Sequence, residues 1–217
     1  MRFSDRINTF LFAVMLIPTT NLTDWKVEQF SGVPKNEVTA SEKGIRVHVD
    51  KSAGPLIHPL KAITKITGFK ISGHFLGLPQ FAKASSQGEK GFDDYSLRVG
   101  FVLSGEKTLT GLKKAFAANW VKRLYEQAPE GTGIDSVRFF NVTQNPQQIG
   151  RKRLHPATDL FQEEFFAEVK SSGPYLYDIQ FEKPIEIVAI WISIDGDDTN
   201  STYDVLISNL ELHVLLK

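Results

Sequence analysis

The chain predicts an all-β protein with a minor helical part: an antiparallel β-sandwich carrying one inserted amphipathic helix. Three observations predict it. The run Ile187-Val188-Ala189-Ile190-Trp191-Ile192-Ser193-Ile194 is apolar at nearly every position, so both of its faces need cover, as in a strand central to a sheet. Tyr203–Val214 follows with a two-residue period that sets Val205, Ile207, Asn209, Glu211 and His213 against Leu206, Ser208, Leu210, Leu212 and Val214, the pattern of a closing strand. Further short alternating runs fill most of the chain, and no longer period repeats, which argues against solenoids and propellers.

In chain order, Arg2 and Arg6 precede the apolar run Phe10–Ile17, the layout of an export leader. We expect residues 1–22 to be a signal peptide or N-terminal segment, residues 23–217 to be one domain, and the location to be periplasmic or extracellular. The apolar run is too short for the ~20 residues of a membrane-spanning helix, so no transmembrane anchor is expected. Trp25–Phe30 and Gly44–Val49 alternate as strands, the second with Ile45, Val47 and Val49 on one face. Pro55–Leu60, interrupted by Pro59, suits a sheet edge. Phe69, Ile71, Gly73 and Phe75 share a face opposite Lys70, Ser72 and His74. Gly77–Gly91 has little apolar period and reads as a mobile loop.

Asp93–Leu103 is a second strong strand, introduced by paired acids. Leu112, Phe116, Trp120 and Leu124 recur at four-residue spacing, which predicts a helix over Thr110–Gln127 with Thr110 as its cap and Pro129 beyond its end. Ser136–Thr143 resumes as a strand, and Arg151-Lys152-Arg153 reads as a solvated basic strand start. Leu160–Val169 fits a helical and an extended period about equally, and we read it as helix. Tyr175–Phe181 alternates strictly, after which Lys183-Pro184 is expected to turn the chain into the central strand.

Composition removes several function classes. The 217 residues hold 25 basic and 25 acidic side chains, so no net field draws nucleic acid, and none is expected as a partner. Cysteine is absent, which excludes disulfides, thiolate zinc and thiol nucleophiles. No E-x-D-x-E strand, G-x-S-x-G elbow, H-E-x-x-H helix or phosphate-binding loop is present. The five histidines are scattered singly; His48 and His74 alone fall on neighbouring wet faces.

Two segments carry a resemblance. Asp93-Asp94-Tyr95-Ser96-Leu97-Arg98-Val99 and Ile194-Asp195-Gly196-Asp197-Asp198-Thr199-Asn200-Ser201, with Trp120–Tyr125 between them, resemble a bacterial family of exported proteins catalogued as a domain of unknown function. Its members carry a D-D-aromatic-x-x-R-V strand, a helical insertion and a D-x-D-N-T-x-S turn, from which Gly196-Asp197-Asp198 departs. The resemblance implies a jelly-roll-like antiparallel β-sandwich similar to carbohydrate-binding folds, and no activity.

Candidate ligand-binding residues are therefore Asp93, Asp94, Arg98, Tyr175 and Tyr177, because sugar hydroxyls pair with acids and guanidinium groups while sugar rings stack on aromatics. Asp195, Asp197, Asp198 and Asn200 gather hard oxygens in one loop and are candidate ligands of a structural Ca²⁺, although the spacing is not that of an EF-hand. The function expected is a non-catalytic binding module with a glycan or other small ligand as partner. Two alternatives stand beside it: a glycan-active hydrolase or lyase using Asp carboxylates, and a structural or protein-interaction domain.

Overall fold

The computed structural model describes residues 12–110, 119–156 and 158–216, and 58% of the chain is strand. The strands are β1 (Phe12–Ile17), β2 (Lys26–Val27), β3 (Glu37–Ser41), β4 (Gly44–Asp50), β5 (Pro55–Leu76), β6 (Leu97–Gly105), β7 (Gly133–Thr143), β8 (Lys152–His155), β9 (Thr158–Glu168), β10 (Gly173–Ser193) and β11 (Thr202–Leu215). One helix, α1 (Asn119–Tyr125), is described between β6 and β7; the first part of the helix expected from Thr110 lies outside the described residues.

All described strands belong to one sheet of order β3-β4-β11-β5-β10-β6-β7-β9-β8, with β1 on β11 and β2 on β5. It folds over on itself because β5 and β10 are long enough to serve both layers. The first half of β10 lies on the second half of β5, which also pairs β11; the last half of β10 lies between the start of β5 and β6. Pairing is antiparallel except between β7 and β9. The two layers close on a core drawn from β4, β5, β6, β7, β10 and β11. Phe69 is its hub: the ring meets Phe101 at 5.2 Å and Phe140 at 5.4 Å across the layers.

The sequence expectations hold where apolar alternation is clean. Ile45, Val47, Val49, Phe69, Ile71 and Phe75 all point inward, and Ile187–Ile192 is buried on both faces. Elsewhere irregularities intervene. In β11 the buried positions are Val205 and Ile207, then Leu210 and Leu212, because a register shift between Ile207 and Asn209 exchanges the faces. Pro55–Leu60 and Phe69–Phe75 form one strand; Pro59 is tolerated opposite the register shift at Ile187/Ala189. Lys183-Pro184 likewise falls in the break between Gln180 and Ile185, so β10 continues through the expected turn.

Leu160–Val169 is a correction: it lies in the strand β9. Its decisive period is two, since Phe161, Glu163 and Phe165 are buried together on one face. The loop Gly77–Gly91 is tied down by buried Gln87, whose Nε2 donates to the Asp94 carbonyl at 2.7 Å. The apolar N-terminal run forms β1 from Phe12 on, placing Ile17 inward and Phe12, Val14 and Leu16 outward. No described helix is long and apolar enough to cross a membrane.

Phe69 offers a direct test of this core. Phe69→Ala should lower stability by ~3–5 kcal/mol, the usual loss for a fully buried phenylalanine, read as a lower midpoint in urea unfolding with an unchanged slope.

Candidate functional site

Strand pairing puts three cross-strand rows on the outer face of the layer formed by β10, β6, β7 and β9. The first row is Ala189–Val102–Val137–Phe161, the second Trp191–Gly100–Phe139–Glu163, and the third Ser193–Arg98–Asn141–Phe165. Apolar side chains thus give way to aromatic and then to polar ones along the strands. Leu124 of α1 packs into a second apolar cluster with the first row, Phe139 and Trp191. The end nearest the polar row remains open as a pocket of about 270 Å³.

Its floor is aromatic. Phe139 meets Phe161 at 5.2 Å and Trp191 at 5.9 Å, both edge-on, and Phe161 meets Trp191 at 5.6 Å. Gly100 makes this possible, because a Cβ there would lie 2.5 Å from the Phe139 ring. Half-buried Phe30 forms one side of the mouth, with Thr158 and His155 at another.

The charged wall is built around Arg98, whose side chain is 8% exposed. Its guanidinium meets Asp93 at 3.0 Å, Asp195 at 3.2 Å and Glu163 at 3.4 Å, donates to the Asp93 carbonyl, and lies 4.3 Å from the centre of the Tyr95 ring. Arg153 closes the circuit from the other side, 2.7 Å from Glu163 and 3.0 Å from Asp93. Asn141 donates to Glu163 at 2.7 Å, and His155 reaches Asp93 at 2.8 Å.

The two acidic segments converge. Asp94 accepts from the Thr199 N–H at 2.7 Å, the Thr199 hydroxyl at 2.6 Å and the Asp198 N–H at 3.3 Å, while the Asp93 N–H donates to Asp198 at 2.9 Å. The loop after β10 is therefore clasped to the start of β6. Asn200, at φ 52°, supplies the left-handed residue that the turn needs.

Burial pushes the Asp93 carboxyl up, but Arg98 and His155 outweigh it and hold the group well below the usual range. Burial also raises Asp195, to about 7, against the opposing pull of Arg98. The Ser193 hydroxyl, which donates to Asp195 at 2.7 Å, also opposes the rise, while the nearby charges of Asp94 and Asp197 add to it. Asp197 is raised to about 6, first by burial and then by the neighbouring negative charge of Asp94.

These positions correct part of the sequence reading. Asp93, Asp94 and Arg98 do share one site with Asp195, Asp197 and Asp198. Tyr175 and Tyr177 do not: they lie in the first half of β10 and form no exposed platform. Tyr175 is buried against Phe75 at 4.4 Å, and its hydroxyl donates to the Leu206 carbonyl at 3.0 Å. Tyr177 stacks beside it at 5.6 Å, and burial pushes its hydroxyl up to about 12. The Ca²⁺ ligand set is not assembled either. Asp195 faces Arg98 and Ser193, Asp198 accepts from the Asp93 N–H, and Asn200 is exposed on the turn; among the described residues no three His, Cys, Asp or Glu side chains are placed to hold a metal ion.

Sequence reasoning missed Phe139, Phe161, Glu163, Arg153 and His155 as members of one site. The F-x-E-x-F spacing of Phe161, Glu163 and Phe165 was the available signal for the middle of this group.

No family model and no curated protein sequence matches the chain. Among solved structures, a xylan-binding module, CBM15, aligns at 10% identity and TM-score 0.37, covering 93% of this chain and 96% of its own. The exoplasmic domain of VIP36, in a form bound to Ca²⁺ and Man3GlcNAc, aligns at 9% identity and TM-score 0.38, covering 94% and 92%. Likenesses at this level do not reach to a shared ligand.

The burial of the Asp195 carboxyl has a measurable consequence. An acid whose folded pKa stands above the ~3.9 of an unfolded Asp binds extra protons when folded, so stability falls as pH rises through that interval. Asp195 should contribute such a fall between about pH 4 and about pH 7, and Asp195→Asn should flatten it in urea midpoints taken across that range. Asp93 acts in the opposite sense: its contribution is present above ~pH 4 and is lost as pH falls below it.

Proposed function

We propose that this protein is a non-catalytic, exported carbohydrate-binding β-sandwich whose ligand enters the pocket between Phe30, the aromatic floor and the Asp197–Asp198 lip. The single observation that supports this most is the juxtaposition inside one concave site of apolar ring surface and hydrogen-bonding carboxylates. Sugars need both, because one face of the ring is C–H and the rim is hydroxyl. Phe30 is the half-buried ring at the mouth against which a sugar face would lie, above a floor formed by Trp191 and Phe139. About 270 Å³ lies at the small end of the ~300–1,000 Å³ typical of small-molecule pockets, which suits a short segment of a sugar chain. Export rests on the basic and apolar N-terminal run and fits a ligand met outside the cytoplasm.

A hydrolase or lyase reading has one observation in its favour. Asp197, raised to about 6 at the pocket wall, resembles a carboxyl tuned to exchange a proton near neutral pH. The two readings differ in turnover: an enzyme releases new reducing ends or unsaturated products, and Asp197→Asn abolishes that release.

For the binding reading, thermal shifts against a panel of soluble oligosaccharides should find one that stabilises the protein, by ~2.7 kcal/mol at a hundredfold excess over Kd, with no product formed. Phe30→Ala should weaken that ligand by about tenfold, ~1.4 kcal/mol, and because the ring also packs against the second apolar cluster a urea midpoint taken alongside shows that the variant is still folded.

A further inference from the structure

We infer that the pocket takes the end of a sugar chain and not its interior. This deepens the glycan-binding reading and depends on it. A chain bound by its middle must run in and out again, which needs a groove open at two ends. Here the described residues close the aromatic floor on every side. Along the strands in one direction the first row is already covered: Ala189, Val102 and Val137 are fully buried, with Leu124 of α1 in the same cluster and Tyr125 packed against it. In the other direction stands the wall of Arg98 and Glu163, and behind it the loop before β6 is pinned by Arg153, which donates to the Gly88 carbonyl at 2.9 Å. Across the strands, Phe30 and Ala53 bound one side, and His155 and Thr158 the other. The way in is from above, past Asp197 and Asp198.

A second observation is independent of that enclosure. The floor rings form a closed triangle with sides of 5.2, 5.6 and 5.9 Å, Phe139, Phe161 and Trp191 each meeting the other two edge-on. A site for internal segments would set rings in succession along a groove, one beneath each unit; three rings in so small a triangle lie beneath one. The terminal unit is also chemically distinct, since it has a hydroxyl where an internal unit has a bridging ether. A hydroxyl can donate to the carboxylates of half-buried Asp197 and exposed Asp198, whereas an ether oxygen brings one more acceptor against them.

Isothermal titration of the full chain should compare β-1,4-linked oligosaccharides of glucose, xylose, mannose and N-acetylglucosamine, from two to six units long. In the series that binds, affinity should rise by no more than about threefold from dimer to hexamer, because units beyond the first lie outside the pocket. Methylating the terminal hydroxyl at one end of the dimer should weaken it by about tenfold, and methylating the other end should change little. Asp197→Asn, whose amide can donate to an ether, should narrow the difference between free and methylated sugar. If affinity climbs with every unit up to the hexamer, or if neither methylation matters, the inference falls and glycan binding stands. If the methylation penalty is unchanged in folded Asp197→Asn, the part given to that carboxylate falls. If these series fail where the wider panel finds another sugar, the same length and methylation comparisons on that sugar decide. If the whole panel is negative, both readings fall together.

Discussion

One buried guanidinium sets the terms for the rest of this molecule. Arg98 lies within a strand whose neighbours are buried, and a charge so placed is tolerated only where anions and carbonyls surround it. Those groups come from three places, Asp93 just before β6, Glu163 of β9 and Asp195 just after β10, and Arg153 of β8 answers Asp93 and Glu163 from the other side. Removing any one leaves the others in a low dielectric without full compensation, so each segment is held in place by the needs of the rest. The pocket is the space that this arrangement leaves beside the aromatic row.

Fold and site are linked through strand alternation. Along β10, Ile190 and Ile192 enter the main core while Ala189, Trp191 and Ser193 line the outer face. The same parity in β6, β7 and β9 lays down the three rows. A single shift of register in any of them would carry Arg98 or Glu163 into the hydrophobic core, which gives the pairing a strong reason to stay where it is. Register shifts adjoin the rows without falling inside them, between Ile187 and Ala189, between Val102 and Ser104, and between Asn141 and Val142.

The sandwich was legible because β-branched runs and clean alternation report directly on burial. Ile187–Ile194 declared itself central, and Phe69–Phe75 declared its inward face. Half of the site was legible too, since paired acids before a strand and an acidic turn after another are unusual enough to notice. What the sequence hid was proximity. Nothing local to Tyr175 distinguishes an inward tyrosine from an exposed one, and nothing local to Arg153 says that its charge is answered by Glu163. Leu160–Val169 was misread because Phe161, Phe165 and Phe166 satisfy a helical spacing; only the pairing of β9 with β7 shows that period two governs. The acidic loop looked like a cation cage for a related reason: oxygen count is visible in sequence, whereas the direction in which each carboxylate is already engaged is not.

Gly100 has a meaning beyond packing. Because the Phe139 ring occupies the volume where a side chain at this position would begin, the depth of the pocket is governed from beneath, by an atom that is missing. Related chains could reshape what they accept by exchanging this one residue: an alanine would lift the ring and shallow the cleft while every group at the mouth stayed as it was. Specificity in such a scaffold would then drift through a covered position beneath the pocket floor, where inspection of the surface alone would not reveal it.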